Sequence, residues 1–397
     1  MGKPKIRFKG FDNDWEQRKF GSLLDETKNK TSVEDEDTLL SCAINGMYLN
    51  SELFSHFRGA SNVGYLKVKK NDLILSAQNL HLGNCNVNLR FEHGIISPAY
   101  KVYELVDCNP LFMQAWVKRD STKNFFLRAS TEGASVCRKN IVWEELYKQE
   151  LLVPDIEEQK KIGAYFDYLD HLITLHQRKC EDTKKLKKYM LQKMFPQNGS
   201  KVPEIRFKGF TDDWEQRKVG DITKELSEYA KLNSGLPLLT SARTGLMYQS
   251  DYRGNSTTDN ENTLFSIVPL NACTYRHMSD DSTFHINVNT LEKGLVSKEY
   301  PVFVENESDL RFVVQYINSS DSFTKFCTEQ KKGGTRTRLY YKTLCEYKML
   351  IPSLNEQHII ADYFDNLDYL ITLHHRKLIC VKNALKFTQN NIIREKL

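Results

Sequence analysis

The sequence lacks the features that mark secreted, membrane-spanning and zinc-binding proteins. Its nine cysteines include no CxxC pair, and their odd number does not fit a disulfide framework, so we expect a reducing compartment. No apolar run reaches the roughly 20 residues that span a bilayer, and no apolar segment follows the opening residues to serve as a signal peptide. We therefore expect a cytoplasmic protein that has no membrane partner.

Signature motifs of common enzymes are also missing. The sequence contains no GxGxxG or GxxxxGK[ST] loop, no HExxH zinc site and no GxSxG nucleophile motif. Residues 109–112 read NPLF, which is like the NPP[YF] loop of amino-methyltransferases, but the second proline and a preceding cofactor loop are absent. We expect a turn before a helix there, and no catalytic activity in the chain.

The excess of positive charge is small. The chain has 56 Lys and Arg against 51 Asp and Glu, a net charge of +5. Bulk charge therefore does not indicate a nucleic-acid partner, although it leaves room for local basic surfaces.

The chain is an internal repeat. Residues 4–26 read PKIRFKGFDNDWEQRKFGSLLDE and residues 203–225 read PEIRFKGFTDDWEQRKVGDITKE, with 15 of 23 positions identical at an offset of 199. A second block, PDIEEQKKIGAYFDYLDHLITLHQRK at 154–179, returns at 352–377 as PSLNEQHIIADYFDNLDYLITLHHRK. Between the blocks the similarity is weak. This order predicts a duplicated pair consisting of a variable globule and a shared helix.

Each second block predicts a long helix. Asp155 or Ser353 is a plausible N-cap, and Glu158 or Glu356 follows three residues later, the pattern of a capping box. Apolar side chains then recur at spacings of three and four, which makes a wide apolar face. The residues that we predict to pair the helices are Ile162, Tyr165, Leu169 and Leu172 in the first copy and Ile360, Tyr363, Leu367 and Leu370 in the second.

The predicted helices are too long to be buried in one globule, since roughly 40 residues extend about 60 Å. They could be two independent surface helices. The preferred interpretation is an antiparallel coiled coil, which would place the two globules at opposite ends of a rod. The predicted class is α+β, with a first globule at 1–150, a helix at 151–200, a second globule at 201–348 and a helix at 349–397.

A basic loop precedes the second long helix. Residues 331–338 read KKGGTRTR, and their cations, flexible glycines and hydroxyls suit contact with a phosphate backbone. The matching segment of the first copy, GASVCRK at 133–139, is weaker. The predicted phosphate contacts are Arg138, Lys139, Lys331, Lys332, Arg336 and Arg338.

Together these residues resemble the specificity (S) subunit of bacterial type I restriction–modification systems. The resemblance rests on RFKGFxxxWEQRK opening each half, LLTSARTGLMYQ at 238–249, GGTR at 333–336 and P-x3-EQ opening each long helix. The joint order and the duplication of these motifs make it specific. The first copy departs from the pattern, because LLSCAINGMYLN at 39–50 lacks the arginine and its Gly-Thr-Arg loop is degenerate.

The resemblance implies a non-catalytic subunit with two mixed α/β target recognition domains. Each domain would read one half of a split sequence in double-stranded DNA, and the coiled coil would set the gap. Two methyltransferase (M) subunits and two restriction (R) subunits would assemble around it. S-adenosylmethionine held by M, and ATP with Mg²⁺ held by R, would supply the chemistry, so no cofactor is expected in this chain.

Base reading requires side chains that reach base edges, Arg or Lys for guanine and Asn or Gln for adenine. The candidates in the first globule are Ser41, Asn45, Gln78, Asn79, His81 and Asn84. Those in the second globule are Ser241, Arg243, Thr244, Tyr248, Arg276 and His277.

Two other classes compete with a DNA-reading subunit. A duplicated coiled-coil scaffold without DNA specificity would bind only proteins, and it predicts low DNA affinity without salt dependence. A self-sufficient methyltransferase or nuclease is disfavoured by the missing motifs.

Overall fold

The chain forms two compact units, Met1–Arg178 with His375–Leu397, and Lys179–His374. The computed structural model describes residues 4–55, 61–131, 139–197, 199–253, 262–331 and 335–392. Each unit contains one globule and a portion of both long helices. Within the described ranges, no helix has the length and apolar character needed to cross a membrane.

The first unit is organised around an antiparallel sheet of four strands. Their order is Leu24–Glu26, Tyr100–Leu105, Leu73–Ser76 and Cys85–Val87. The Leu73–Ser76 strand is buried along its whole length, as its apolar sequence LILS predicts for a strand inside a core. The other strands are Glu16–Lys19, Leu40–Ala43, Gly46–Leu49, Leu66–Lys69, His93–Ile96 and Glu150–Val153. The helices are Phe20–Leu23 and Leu80–Leu82 (both 3₁₀), Asn50–Leu53, Pro110–Val117, Asp120–Arg128 and Trp143–Lys148.

The second unit repeats this sheet. The strand order is Thr223–Glu225, Val302–Glu305, Cys273–Thr274 and Asn287–Val288. The other strands are Glu215–Lys218, Tyr229–Lys231, Leu239–Ala242, Gly245–Tyr248, Leu264–Val268, Met278–Ser279, Gly294–Ser297, Thr337–Arg338 and Lys348–Ile351. The helices are Val219–Ile222, Leu232–Ser234 (3₁₀), Gln249–Arg253, Leu310–Ser319, Asp321–Glu329 and Tyr341–Leu344. The predicted mixture of helix and sheet, and its duplication, are confirmed.

A two-stranded ribbon joins the beginning and the end of the variable part of each globule. In the first unit Glu16–Lys19 pairs with Glu150–Val153, and in the second unit Glu215–Lys218 pairs with Lys348–Ile351. The EQRK sequence that the two copies share therefore forms the incoming strand of each ribbon. The variable segment leaves from one strand of the ribbon and returns to the other.

Side chains from the two repeated blocks meet at the start of each long helix. Arg7 donates from Nε and Nη2 to the two carboxylate oxygens of Glu158, both at 2.7 Å, and Trp15 Nε1 donates to Glu158 at 3.1 Å. In the second unit Arg206 makes the same two bonds to Glu356 at 2.8 Å. The repeat thus preserves a contact between its two blocks.

The helix cap differs from the predicted capping box. Asp155 accepts the backbone N–H of Glu158 at 2.9 Å, as an N-cap should. The Glu158 side chain, however, binds Arg7 and Trp15, because a buried carboxylate is stabilised more by a guanidinium than by one backbone N–H.

The two long helices span Ile156–Lys193 and Leu354–Ile392. In the second unit Cys180 lies against Ile371, with Sγ 3.9 Å from the carbonyl oxygen, and Lys187 binds the Asp368 carboxylate at 2.7 Å. From the first of these contacts to the second, the residue number rises along one helix and falls along the other, so the pair is antiparallel. In the first unit, apolar residues near the end of the second helix pack on the core that holds the start of the first: Val381, Leu385 and Ile392.

The residues that were predicted to pair the helices contribute unequally to the cores. Four of the eight that were predicted to pair the helices are buried: Ile162, Leu169, Ile360 and Leu367. Three are half-buried: Tyr165, Leu172 and Tyr363. Leu370 is 39% exposed. The buried ones belong to the cores of the globules, since Ile162 lies in one core with Phe112 and Ile360 lies in one core with Phe312.

Candidate nucleic-acid interface

A short hairpin carries several predicted base readers in each unit. The strands Leu239–Ala242 and Gly245–Tyr248 pair directly, with Arg243 and Thr244 as the turn, and both turn residues are exposed. The residue after the turn has φ +131°, which glycine adopts without a steric penalty. The first unit has the same hairpin, with Ile44 and Asn45 at the turn.

A buried or half-buried asparagine fixes each hairpin to the sheet. Asn287 donates from Nδ2 to Ser241 Oγ at 2.7 Å and to the Ala242 carbonyl at 2.8 Å. Asn86 donates to the Ala43 carbonyl at 2.7 Å in the first unit. Each belongs to an Asn-Val-Asn sequence, at 86–88 and 287–289, which repeats at an offset of 201. Sequence reasoning missed these two asparagines, although the repeated Asn-Val-Asn could have indicated them.

A cleft of about 310 Å³ lies beside the hairpin of the second unit. The predicted base readers among its lining residues are Ser241, Arg243, Thr244 and Arg276. Phe284 and His285 line it as well. Burial, together with the nearby positive charge of Arg243, lowers the pKa of His285. The cleft thus combines cations with hydroxyl groups and an aromatic ring.

Two consecutive aspartates hold arginines at the rim of this cleft. Arg243 Nη2 lies 2.6 Å from both carboxylate oxygens of Asp281, and Arg336 Nε donates to Asp280 at 2.8 Å. The hydrogen bond from Arg243 and those from Ser279 and Thr283 lower the pKa of Asp281. Sequence reasoning missed both aspartates, because their partners lie 38 and 56 positions away.

The predicted phosphate loop reaches the same cleft. Its strand Thr337–Arg338 pairs with Met278–Ser279, so that Arg338 lies directly opposite Met278, a lining residue. Arg336 and Arg338 are both exposed. Lys331 is exposed at the start of the loop, and Lys332 lies outside the described residues.

Two candidates in the second unit do not face this cleft. His277 is buried, its ring stacks on Tyr340 at 5.8 Å, and burial lowers its pKa. The Tyr248 hydroxyl donates to Glu292 at 2.7 Å.

The candidates of the first unit gather less closely. Asn45 is exposed at the hairpin turn, and Ser41 Oγ accepts a hydrogen bond from Asn50 at 2.9 Å. Gln78 is exposed, and its carbonyl accepts the backbone N–H of Lys139 at 3.2 Å, so the loop after Ser76 lies against one predicted phosphate-binding residue. Asn79 and Asn84 are half-buried and His81 is buried. Arg138 lies outside the described residues.

Lys118 is a further cation beside the first hairpin. Its Nζ donates to the carbonyls of Ile44 and Cys85 at 2.7 and 2.9 Å, which ties the hairpin turn to the sheet. Burial lowers the pKa of Lys118. Its place at the end of the Pro110–Val117 helix gave no signal in the sequence, because both partners are backbone atoms of distant segments.

Comparisons with known proteins agree with these features. Residues 281–383 match the family model of the type I restriction modification DNA specificity domain. A relative from Methanocaldococcus jannaschii, the putative type I restriction enzyme MjaX specificity subunit, is 24% identical over 379 residues, which cover 87% of this chain and 78% of the relative. A crystal structure of the type I restriction–modification S subunit from M. genitalium has a TM-score of 0.60 at 13% identity, covering 99% of this chain and 100% of that one, a likeness of fold. The resemblance found in the sequence is confirmed.

Proposed function

We propose that this chain, a type I specificity subunit by resemblance of sequence and fold, reads a bipartite DNA target with one unit per half-site. In this proposal it has no catalytic activity and holds no cofactor. It docks two methyltransferase subunits that bind S-adenosylmethionine and two restriction subunits that use ATP and Mg²⁺, in the cytoplasm.

One observation carries the proposal. In the second unit Arg243 and Arg276 line one cleft, Arg336 binds Asp280 of its lining, and Arg338 is paired opposite Met278, so that three separate segments bring four arginines to this cleft or its edge. Arginine suits this role, because its guanidinium binds phosphates and guanine edges in a planar, two-pronged geometry. The shared helices and ribbons surround segments that differ between the copies, which is the arrangement expected of two readers with different targets.

The test uses the chain together with its methyltransferase subunits. Binding of duplex DNA is measured over a range of salt concentrations, and methylated positions are mapped by sequencing. We expect a split methylated site and an affinity that falls steeply with salt. R336A/R338A should weaken binding to all sequences and reduce the salt slope by about one or two.

Lys218→Ala provides the matched control. Lys218 is also an exposed cation paired with an acid, Glu346, at 2.7 Å, but it does not line the cleft. It should leave the salt slope unchanged. Weak, salt-independent DNA binding by the wild-type complex, with no methylated site, would favour the competing scaffold function instead.

A further inference from the structure

We infer that Arg243 reads a guanine in the half-site of the second unit, and that Asp281 is the residue that positions Arg243 for this contact. The inference rests on the proposed function, and it adds the base that is read and a residue that acts through another. Three observations support it: the placement of the arginine, the immobility of the aspartate and the charge around them.

Arg243 is placed where a base edge can be reached. It lies at the turn of the Leu239–Tyr248 hairpin, and its side chain is 59% exposed even with Asp281 bound. Both contacts to Asp281 come from Nη2. A guanidinium has five N–H donors, so Nε and Nη1, which make no hydrogen bond within the described ranges, remain available to an acceptor.

Asp281 is held by its own neighbours. Its Oδ1 accepts Ser279 Oγ at 2.7 Å and the backbone N–H of Thr283 at 3.0 Å. These bonds fix the carboxylate independently of Arg243, and they add to the bond from Arg243 in lowering the pKa of Asp281. A long side chain at a turn samples many rotamers, and a fixed carboxylate that binds one end of it removes most of that freedom before DNA arrives.

The surrounding charge favours a base over a phosphate at this arginine. Asp281 binds Arg243 through both carboxylate oxygens, and its charge offsets the attraction that this guanidinium would exert on a phosphate. A guanine edge is neutral and presents two acceptors, O6 and N7, that match the donors of a guanidinium. Adenine presents a donor in place of O6, so the same arginine would discriminate against it.

The first unit differs at the turn of its hairpin. Ile44 occupies the turn position that corresponds to Arg243, and the Asn86 contact shows that the two hairpins are held in the same way. We therefore assign the guanine to the half-site of the second unit alone.

The experiment maps methylation by the full complex carrying wild-type chain, R243K, R243A, D281N, D281A or D280N. Relative methylation rates are measured on duplexes in which each base pair of the mapped site is replaced in turn. We expect R243A and D281A to lose at least about 10-fold of the discrimination for G·C at one position of one half-site, with the other half-site unchanged. R243K, which lacks the planar fork, should fail in the same way.

D280N is the matched control, because Asp280 is the adjacent rim acid but binds Arg336. It should change the affinity for all DNA sequences without relaxing the base preference at any position.

The inference would be overturned if D281A bound DNA more tightly with unchanged base preference, since Asp281 would then only compete with DNA for Arg243. It would also be overturned by an R243A complex that keeps every base preference, although the proposed function would survive. A wild-type complex without any sequence preference would refute the proposed function itself. A thermal unfolding curve for each variant checks folding, and D281N, at an exposed pair, should leave it unchanged.

Discussion

Arg7 and Glu158, 151 positions apart in the chain, form a two-pronged ion pair in which both hydrogen bonds measure 2.7 Å and the glutamate side chain has no exposed surface. The pair joins the segment before the first ribbon to the first turn of the first long helix. Arg206 and Glu356 repeat it in the second unit. The arginine of the RFKGF motif and the glutamate of the P-x3-EQ motif, which are far apart in the sequence, thus form one contact in each unit.

Replacing Arg7 with Ala should lower the free energy of unfolding by about 3 kcal/mol. The reason is that Glu158 would stay buried without its counter-charge. Denaturant unfolding measures the change. R18A is the control, since Arg18 lies 3.9 Å from an exposed Asp107 and should cost less than about 1 kcal/mol. Equal, small effects of the two substitutions would show that the buried pair does not stabilise the helix start.

Replacing Asn287 with Ala should loosen the hairpin of the second unit. The substitution removes two hydrogen bonds that hold Ser241 and Ala242, and about 1–3 kcal/mol of local stability with them. Hydrogen exchange should then accelerate by roughly 10-fold or more in residues 239–248. N86A should do the same only in residues 40–49. Unchanged exchange in either hairpin would mean that strand pairing alone holds it.

Stability should depend on pH through Asp72. Burial raises the pKa of this carboxyl group to about 6, against an ordinary value near 4. Between these values the folded chain holds this proton more tightly than the unfolded chain, so the contribution of Asp72 to the free energy of unfolding falls as pH rises from about 4 to 6 and then stays level. D72N should remove this fall and raise stability at pH 7 by about 2 kcal/mol. D25N, at an exposed residue of a strand, serves as control, and an unaltered pH profile in D72N would refute the assignment.

Specificity should move with the variable segment. Because Glu16–Lys19 and Glu150–Val153 form the ribbon at its base, residues 27–149 can be exchanged for those of a relative without touching the paired strands. Methylation mapping of the resulting complex should reveal a new sequence in one half of the site and the original sequence in the other. A change in both halves would show that the two units do not read independently.

The sequence was informative where a pattern is local or repeated. Spacing of apolar residues predicted both long helices, and duplication predicted two related globules. The Asp281–Arg243 pair could not be found in this way, since it joins segments whose proximity depends on the folded sheet.

The same limit applies to individual base readers. Gln78, Asn79, His81 and Asn84 were predicted to read bases from their polar side chains, yet His81 is buried. Composition shows which side chains can bind a base, but only burial shows which of them can reach one. The Asn-Val-Asn repeat is different, because its signal was present in the sequence as a 201-residue offset.

The hairpins also have a consequence for how such proteins diversify. The asparagine that holds each hairpin binds the backbone carbonyl just before the turn, that of Ala43 or Ala242, and Lys118 binds the carbonyl of Ile44, so this support does not depend on the side chains of the two turn residues. The same backbone arrangement therefore carries Ile44-Asn45 in the first unit and Arg243-Thr244 in the second. Selection can exchange the chemistry at the turn by substituting one or two codons, with little penalty in folding. If the turn residues read bases, as proposed, new targets are accessible by short mutational paths, and each copy can follow its own.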